Sequence, residues 1–167
     1  RCPITAHLRS TVWRERTKGD GDSTTDQLGF TANGSGNDDV KVSQRDDGTV
    51  DVSVNGESYE VKLAQGQELT LRVGDGDDVV EVAPNVRVNL VIEGGDGNDS
   101  IDGLAGNDRI VAGTGADSVA GSAGNDVVYG EAGSDTIDGG IGADWIDGGA
   151  DGDSIAGGDG NDTIVQS

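Results

Sequence analysis

Eight aspartates recur at a strict nine-residue interval: Asp99, Asp108, Asp117, Asp126, Asp135, Asp144, Asp153 and Asp162. Each is followed two residues later by Ile or Val and preceded by glycines. Carboxylates in that setting, with no sulfur or imidazole beside them, are chemistry for a hard cation bound by oxygen. Other chemistries have little to work with. The chain holds one cysteine, Cys2, and one histidine, His7, so an internal disulfide and a cysteine zinc site are excluded. Any Ser-His-Asp, Cys-His or HExxH arrangement would have to draw on that single imidazole. Ala120-Gly-Ser122-Ala-Gly124 has the outline of a hydrolase nucleophile elbow, but it lies in the repeat register with no helical pattern behind it. No catalytic site is read in the chain.

Charge narrows the partners. Against 11 Lys and Arg stand 32 Asp and Glu, a net charge of −21 over 167 residues, which disfavours nucleic acid and anionic lipid. No run of about 18 apolar residues exists to form a membrane helix. Five of the eleven positive charges, Arg1, Arg9, Arg14, Arg16 and Lys18, cluster at the start of the sequence, and from Val88 onward there is one, Arg109.

The aspartates belong to a repeat that runs from Gly94 to Val165, eight copies without insertion or deletion. The eighth position is apolar throughout: Ile101, Ile110, Val119, Val128, Ile137, Ile146, Ile155 and Ile164. The first position is Gly except at Ala112, and the fourth is Gly except at Asp151. One apolar residue in nine, flanked by small or polar ones, makes a three-residue strand with its middle side chain inward and leaves six residues for a turn. Repeated, this is an all-β structure, a right-handed parallel coil with two repeats per circuit, in which repeats n and n+2 stack. Eight repeats give four circuits. Stacking places Asp99, Asp117, Asp135 and Asp153 along one edge and Asp108, Asp126, Asp144 and Asp162 along the other. Carboxylates about 4.8 Å apart repel by roughly 3.5 kcal/mol at an effective dielectric of about 20. A cation between turns reverses that sign. Six to eight oxygens from a flexible loop suit Ca²⁺ better than Mg²⁺, which demands stricter octahedral geometry, so the coil is predicted to fold only when loaded with metal.

Gly94-Gly-Asp-Gly-Asn-Asp-Ser-Ile-Asp102 and Gly157-Gly-Asp-Gly-Asn-Asp-Thr-Ile-Val165 resemble the RTX, or hemolysin-type calcium-binding, nonapeptide GGxGxDxUx. The resemblance covers Gly94 to Val165, somewhat less than half of the chain. It implies a β-roll binding several Ca²⁺ ions, in a bacterial protein that is secreted or carried on the cell surface, commonly after type I secretion. It implies as ligands the eight sixth-position aspartates and backbone carbonyls of the turn: Gly95, Gly113, Gly140, Gly149 and Gly158 at the second position, and Gly97, Gly106, Gly115, Gly124, Gly133, Gly142 and Gly160 at the fourth. Leu104, Ser122 and Glu131 depart from the second glycine, Ala112 from the first and Asp151 from the fourth. Sites at these turns are expected to be weaker or missing, least so at Asp151, since Asp tolerates the left-handed conformation.

Upstream, residues 1–26 read as a tail and linker or as the end of a missing upstream domain, and the start at Arg1 reads as an excerpt or processed piece of a longer protein. Residues 27–93 read as a β meander capping the roll, and 94–167 as the roll. The period-two runs Val40/Val42, Val50/Val52/Val54, Tyr59/Val61/Leu63, Leu69/Leu71/Val73 and Val86/Val88/Leu90/Ile92 are strands. Asp46-Asp47-Gly48 and Asn55-Gly56 supply hairpin turns. Gly34-Ser-Gly-Asn-Asp-Asp-Val40 and Gly74-Asp-Gly-Asp-Asp-Val-Val80 look like degenerate repeats with Asp38 and Asp78 in the ligand position; an ordinary acidic turn before a strand reads the same.

The outward positions of the even repeats, with Val127, Tyr129 and Trp145, are more apolar than those of the odd ones. That face is expected to dock the meander, another chain or a partner. Two other functions therefore stand beside calcium-dependent folding: a partner- or glycan-binding module using the Val127/Tyr129/Trp145 face, and the C-terminal part of a secreted hydrolase or toxin whose active site lies upstream. The third positions form no threonine ladder, which argues against ice binding.

Overall fold

The computed structural model describes residues 11–18, 24–31 and 36–166; Cys2 and His7 lie outside the described residues. Among them every regular element is a strand. In chain order, β1 (Thr11–Lys18) pairs antiparallel with β2 (Thr24–Thr31), and β3 (Asp39–Gln44), β4 (Val50–Val54) and β5 (Glu57–Val61) form an antiparallel meander. The parallel coil follows as β6 (Leu69–Asp75), β7 (Val79–Val82), β8 (Leu90–Asp96), β9 (Ser100–Asp102), β10 (Arg109–Thr114), β11 (Ser118–Ala120), β12 (Val127–Ala132), β13 (Thr136–Ile141), β14 (Trp145–Asp147), β15 (Ser154–Asp159) and β16 (Thr163–Val165). Successive strands of the coil alternate between two eight-stranded sheets, ordered β1-β2-β6-β8-β10-β12-β14-β16 and β15-β13-β11-β9-β7-β3-β4-β5.

Stacked strands lie two repeats apart throughout the repeat region, which lines the eighth-position side chains into two rows. Ile92, Ile110, Val128, Ile146 and Ile164 face each other along one sheet, and Val80, Ile101, Val119, Ile137 and Ile155 along the other. The rows meet between the sheets as the core. Each fully buried Ile or Val contributes about 1.5–3 kcal/mol. The last turn has nothing stacked on it, so Ile164 is 46% exposed while Ile146 is fully buried. At the other end Phe30 of β2 meets Tyr59 of β5 with ring centroids 4.9 Å apart, closing the core.

The coil starts earlier than the repeat. β6 and β7, inside the region expected as a meander, already run parallel to β8 and β9, giving about five turns in all, and the antiparallel meander is confined to Asp39–Val61. Period-two alternation marks a strand but not the direction of its neighbour, and Leu69/Leu71 suit either. Residues 11–18 and 24–26, expected as tail and linker, are strand. The meander also extends the other sheet in plane instead of lying on the even face, so of the three occupants expected for that face it is not the one that covers Tyr129 and Trp145.

Candidate metal centre

Each repeat turn carries its aspartate inward at the edge of the coil. Asp99, Asp108, Asp117, Asp126, Asp135 and Asp144 are all at most 2% exposed, whereas Asp153 and Asp162 on the final turn are half-buried. The two oxygens of each carboxylate have different fates. Oδ1 accepts the backbone N–H of the aspartate one circuit earlier: Asp99 N–H to Asp117 at 2.7 Å, Asp108 to Asp126 at 2.8 Å, Asp117 to Asp135 at 2.9 Å, Asp126 to Asp144 at 2.8 Å, Asp135 to Asp153 at 3.0 Å and Asp144 to Asp162 at 3.0 Å. Oδ2 of Asp99, Asp108, Asp117, Asp126, Asp135 and Asp144 is buried with no hydrogen-bond partner. A buried, unpaired carboxylate oxygen costs several kcal/mol unless a proton or cation meets it.

Five of these six oxygens, those of Asp99, Asp108, Asp126, Asp135 and Asp144, face niches that exist because the first residue of the turn is glycine. A Cβ added to Gly121 would stand 2.7 Å from both Asp126 Oδ2 and the Gly139 carbonyl. A Cβ on Gly103 would stand 2.8 Å from Asp108 Oδ2 and 3.2 Å from the Gly121 carbonyl, and one on Gly139 would stand 2.7 Å from Asp144 Oδ2 and 2.5 Å from the Gly157 carbonyl. Gly94 is bracketed in the same way by Asp99 Oδ2 and the Ala112 carbonyl, and Gly130 by Asp135 Oδ2 and the Gly148 carbonyl. These first-position carbonyls were not among the expected ligands; the sequence signal for them is the glycine at the start of each repeat.

The second and fourth positions have positive φ in every turn, which is why glycine dominates there. Leu104, Ser122, Glu131 and Asp151 take the same conformation at φ of 61°, 75°, 74° and 83°. The turns of Gly97, Gly115 and Gly133 stack on one edge and those of Gly106, Gly124, Gly142 and Gly160 on the other, each carbonyl lying where the next glycine lacks a side chain. A Cβ on Gly124 would meet the Gly106 carbonyl carbon at 2.6 Å. Gly95 and Gly113 stack likewise, and Gly140, Gly149 and Gly158 lie over Ser122, Glu131 and Gly140.

A second ladder went unread in the sequence. At the fifth position, Asn98 Oδ1 accepts the Ala116 N–H at 2.8 Å, Asn107 that of Asn125 at 2.9 Å and Asn125 that of Ala143 at 2.9 Å. It runs opposite in direction to the aspartate ladder, so consecutive turns are tied both ways.

The odd-repeat column continues past the repeats. Asp78 N–H donates to Asp99 Oδ1 at 2.9 Å and Asp38 N–H to Asp78 Oδ1 at 2.7 Å, and both aspartates are buried with Oδ2 unpartnered. Asn55, at the hairpin turn between β4 and β5, ends the column by donating its amide to Asp38 Oδ1 at 2.6 Å. The even column has no such extension: Leu90 takes the position above Asp108, and its N–H donates to Asp108 Oδ1 at 2.8 Å.

Burial raises the pKa values of the columns above the usual 3.8. Asp99 and Asp108 are pushed up to about 6 and Asp126 to about 7, chiefly by desolvation; the hydrogen bond from the preceding backbone N–H opposes this. Neighbouring carboxylates add to the rise at Asp99 and Asp126, as Glu68 does at Asp108. Asp78, Asp117 and Asp135 are raised by the same desolvation.

Residues 91–119, 111–146 and 138–165 match the family model of the RTX calcium-binding nonapeptide repeat (4 copies). Residues 91–165 are an array of RTX repeats. No curated protein and no solved structure matches the chain. The RTX β-roll is a calcium-binding module, and its interior fits that ion: the donors are hard oxygens, and the carboxylate oxygens facing the niches are unsatisfied. Among the described residues no three His, Cys, Asp or Glu side chains converge. Asp38 and Asp78 lie outside the matched residues.

On the even face of the roll, the rings of Tyr129 and Trp145 pack at 4.9 Å with a 53° tilt, and the Arg109 guanidinium lies 5.0 Å over Tyr129. Val127, Tyr129 and Trp145 are each half-buried. No helix among the described residues is long and apolar enough to cross a membrane.

Proposed function

We propose that this module is a calcium-dependent folding unit of an exported bacterial protein, disordered while calcium is scarce and closing into the β-roll in the extracellular medium. The observation that carries the reading is the file of buried carboxylate oxygens without partners in Asp99, Asp108, Asp117, Asp126, Asp135 and Asp144. Bound calcium supplies the positive charge that these oxygens lack. Asp99, Asp108, Asp126, Asp135 and Asp144 each combine a free Oδ2, a first-position glycine and a carbonyl from the next turn, which makes five complete niches. Affinities in the range of about 10⁻⁴ to 10⁻³ M, typical of extracellular calcium modules, would keep the roll open inside a cell and closed outside it.

The carriage of an upstream hydrolase or toxin domain is compatible with this role, because a folded roll next to an exported domain templates it from one end. The partner- or glycan-binding reading draws less support, since Tyr129 and Trp145 cover one another and Arg109 covers Tyr129.

Far-UV circular dichroism of the chain with calcium and with chelator, paired with an ion count after equilibrium dialysis, tests the proposal. Loss of β signal in chelator and recovery with several bound ions is the expected result. An unchanged spectrum after calcium removal would overturn it.

A further inference from the structure

The niche geometry separates the eight repeats by one methyl group. Ala112 is the one first position that is not glycine. It is fully buried in β10, where register sets it between Gly94 of β8 and Gly130 of β12, as fixed by the flanking pairs Val111 with Glu93 and Tyr129, and Gly113 with Gly95 and Glu131. At both of those neighbours the direction of a Cβ is already taken by two oxygens, the Oδ2 of the turn's own aspartate and the carbonyl one circuit on. By the same register the Ala112 methyl fills the direction that glycine leaves empty at Gly94 and Gly130, on the side of Asp117 Oδ2 and the Gly130 carbonyl. Asp117 is as buried as its neighbours, and its Oδ2 is likewise without a partner.

We propose that Ala112 closes the cation niche at Asp117, so the even edge takes an uninterrupted file of three ions, at Asp108, Asp126 and Asp144, while the odd edge takes two separated ones, at Asp99 and Asp135. This rests on the calcium reading above. A methyl offers no lone pair and excludes any ion from the space between the two oxygens, whereas glycine leaves that space open. The same register puts the buried Val73 opposite Gly94, which closes the Asp78 turn with a larger side chain. The Asp78 turn therefore adds no ion.

The test is calcium stoichiometry on the full chain by equilibrium dialysis and atomic absorption. Wild type is expected to hold five ions, and Ala112→Gly six. Asp117→Asn, which keeps the Oδ1 acceptor for the Asp99 N–H, is expected to retain five, while Asp126→Asn drops to four. Wild type holding six, Ala112→Gly holding no more than wild type, or Asp117→Asn losing an ion as Asp126→Asn does, would overturn the proposal. If Ala112→Gly does not fold, the contrast between the two Asn variants decides. A wild-type chain that binds no calcium would instead refute the calcium reading itself, and this inference with it.

Discussion

Asp126→Asn should have opposite effects with and without calcium. The substitution keeps the shape of the side chain and the Oδ1 acceptor that the Asp108 N–H uses, and replaces the unpartnered Oδ2 by an amide. In the calcium-free coil the native carboxylate has its pKa raised from 3.8 to about 7 by burial. At pH 8 that rise corresponds to roughly 4 kcal/mol of stability lost in holding the charge inside. A buried amide without a partner itself costs about 1–3 kcal/mol, so the variant should favour the calcium-free coil by about 1–3 kcal/mol, or roughly 5- to 160-fold in population. Trimethylamine N-oxide titration in chelator at pH 8, followed by far-UV circular dichroism, measures that population. Asp126→Asn should need less osmolyte than wild type to reach half of the β signal. Asp126→Ala should gain less, since it also strips the acceptor from the Asp108 N–H. In calcium the order inverts, and Asp126→Asn should need more calcium than wild type for half-maximal folding. An Asn variant that needs as much osmolyte as wild type, or more, would refute the idea that buried charge is what keeps the empty coil open.

Acid should partly replace calcium. Because Asp99, Asp108 and Asp126 have folded values of about 6, 6 and 7, above their ordinary 3.8, the calcium-free coil binds more protons than the unfolded chain between those limits, and its stability falls as pH rises through that window. The β signal in chelator should therefore grow as pH is lowered from 8 to 5, and a flat profile would contradict the assignment. Gly124→Ala puts a methyl 2.6 Å from the Gly106 carbonyl carbon at a φ of +146°, whereas Gly56→Ala meets open space at +85°. The first should cost about 2–6 kcal/mol from strain and overpacking together, and the second only about 1–2 kcal/mol, read as urea midpoints in calcium. Asn125→Ala removes the acceptor of the Ala143 N–H and should cost about 1 kcal/mol while leaving the ion count unchanged, since the asparagine ladder ties turns together without facing the niches.

Much of this molecule is legible in its sequence. A nine-residue period with one inward apolar residue admits few structures, and the stacking of Ile110 on Ile92 and of Val119 on Ile101, two repeats apart, follows from it directly. The division of Asp108, Asp126 and Asp144 from Asp99, Asp117 and Asp135 onto two edges follows in the same way. Less was legible upstream, where β6 and β7 join the parallel coil while β3, β4 and β5 form a meander at its end. Nothing in the alternation of Leu69/Leu71 or Val50/Val52 says which strand each will meet, because that depends on contacts between residues far apart in the chain.

Period and residue type alone determined the all-β coil, its two acidic columns and the oxygen-only chemistry, because a local pattern repeated without interruption leaves the chain no other regular way to bury its apolar positions. Only the tertiary structure decided what each carboxylate does. Splitting Oδ1, tied to a backbone N–H one circuit back, from Oδ2, left bare against a glycine and a carbonyl one circuit on, requires groups two repeats apart to meet at hydrogen-bond distance. No neighbour along the chain can supply that contact.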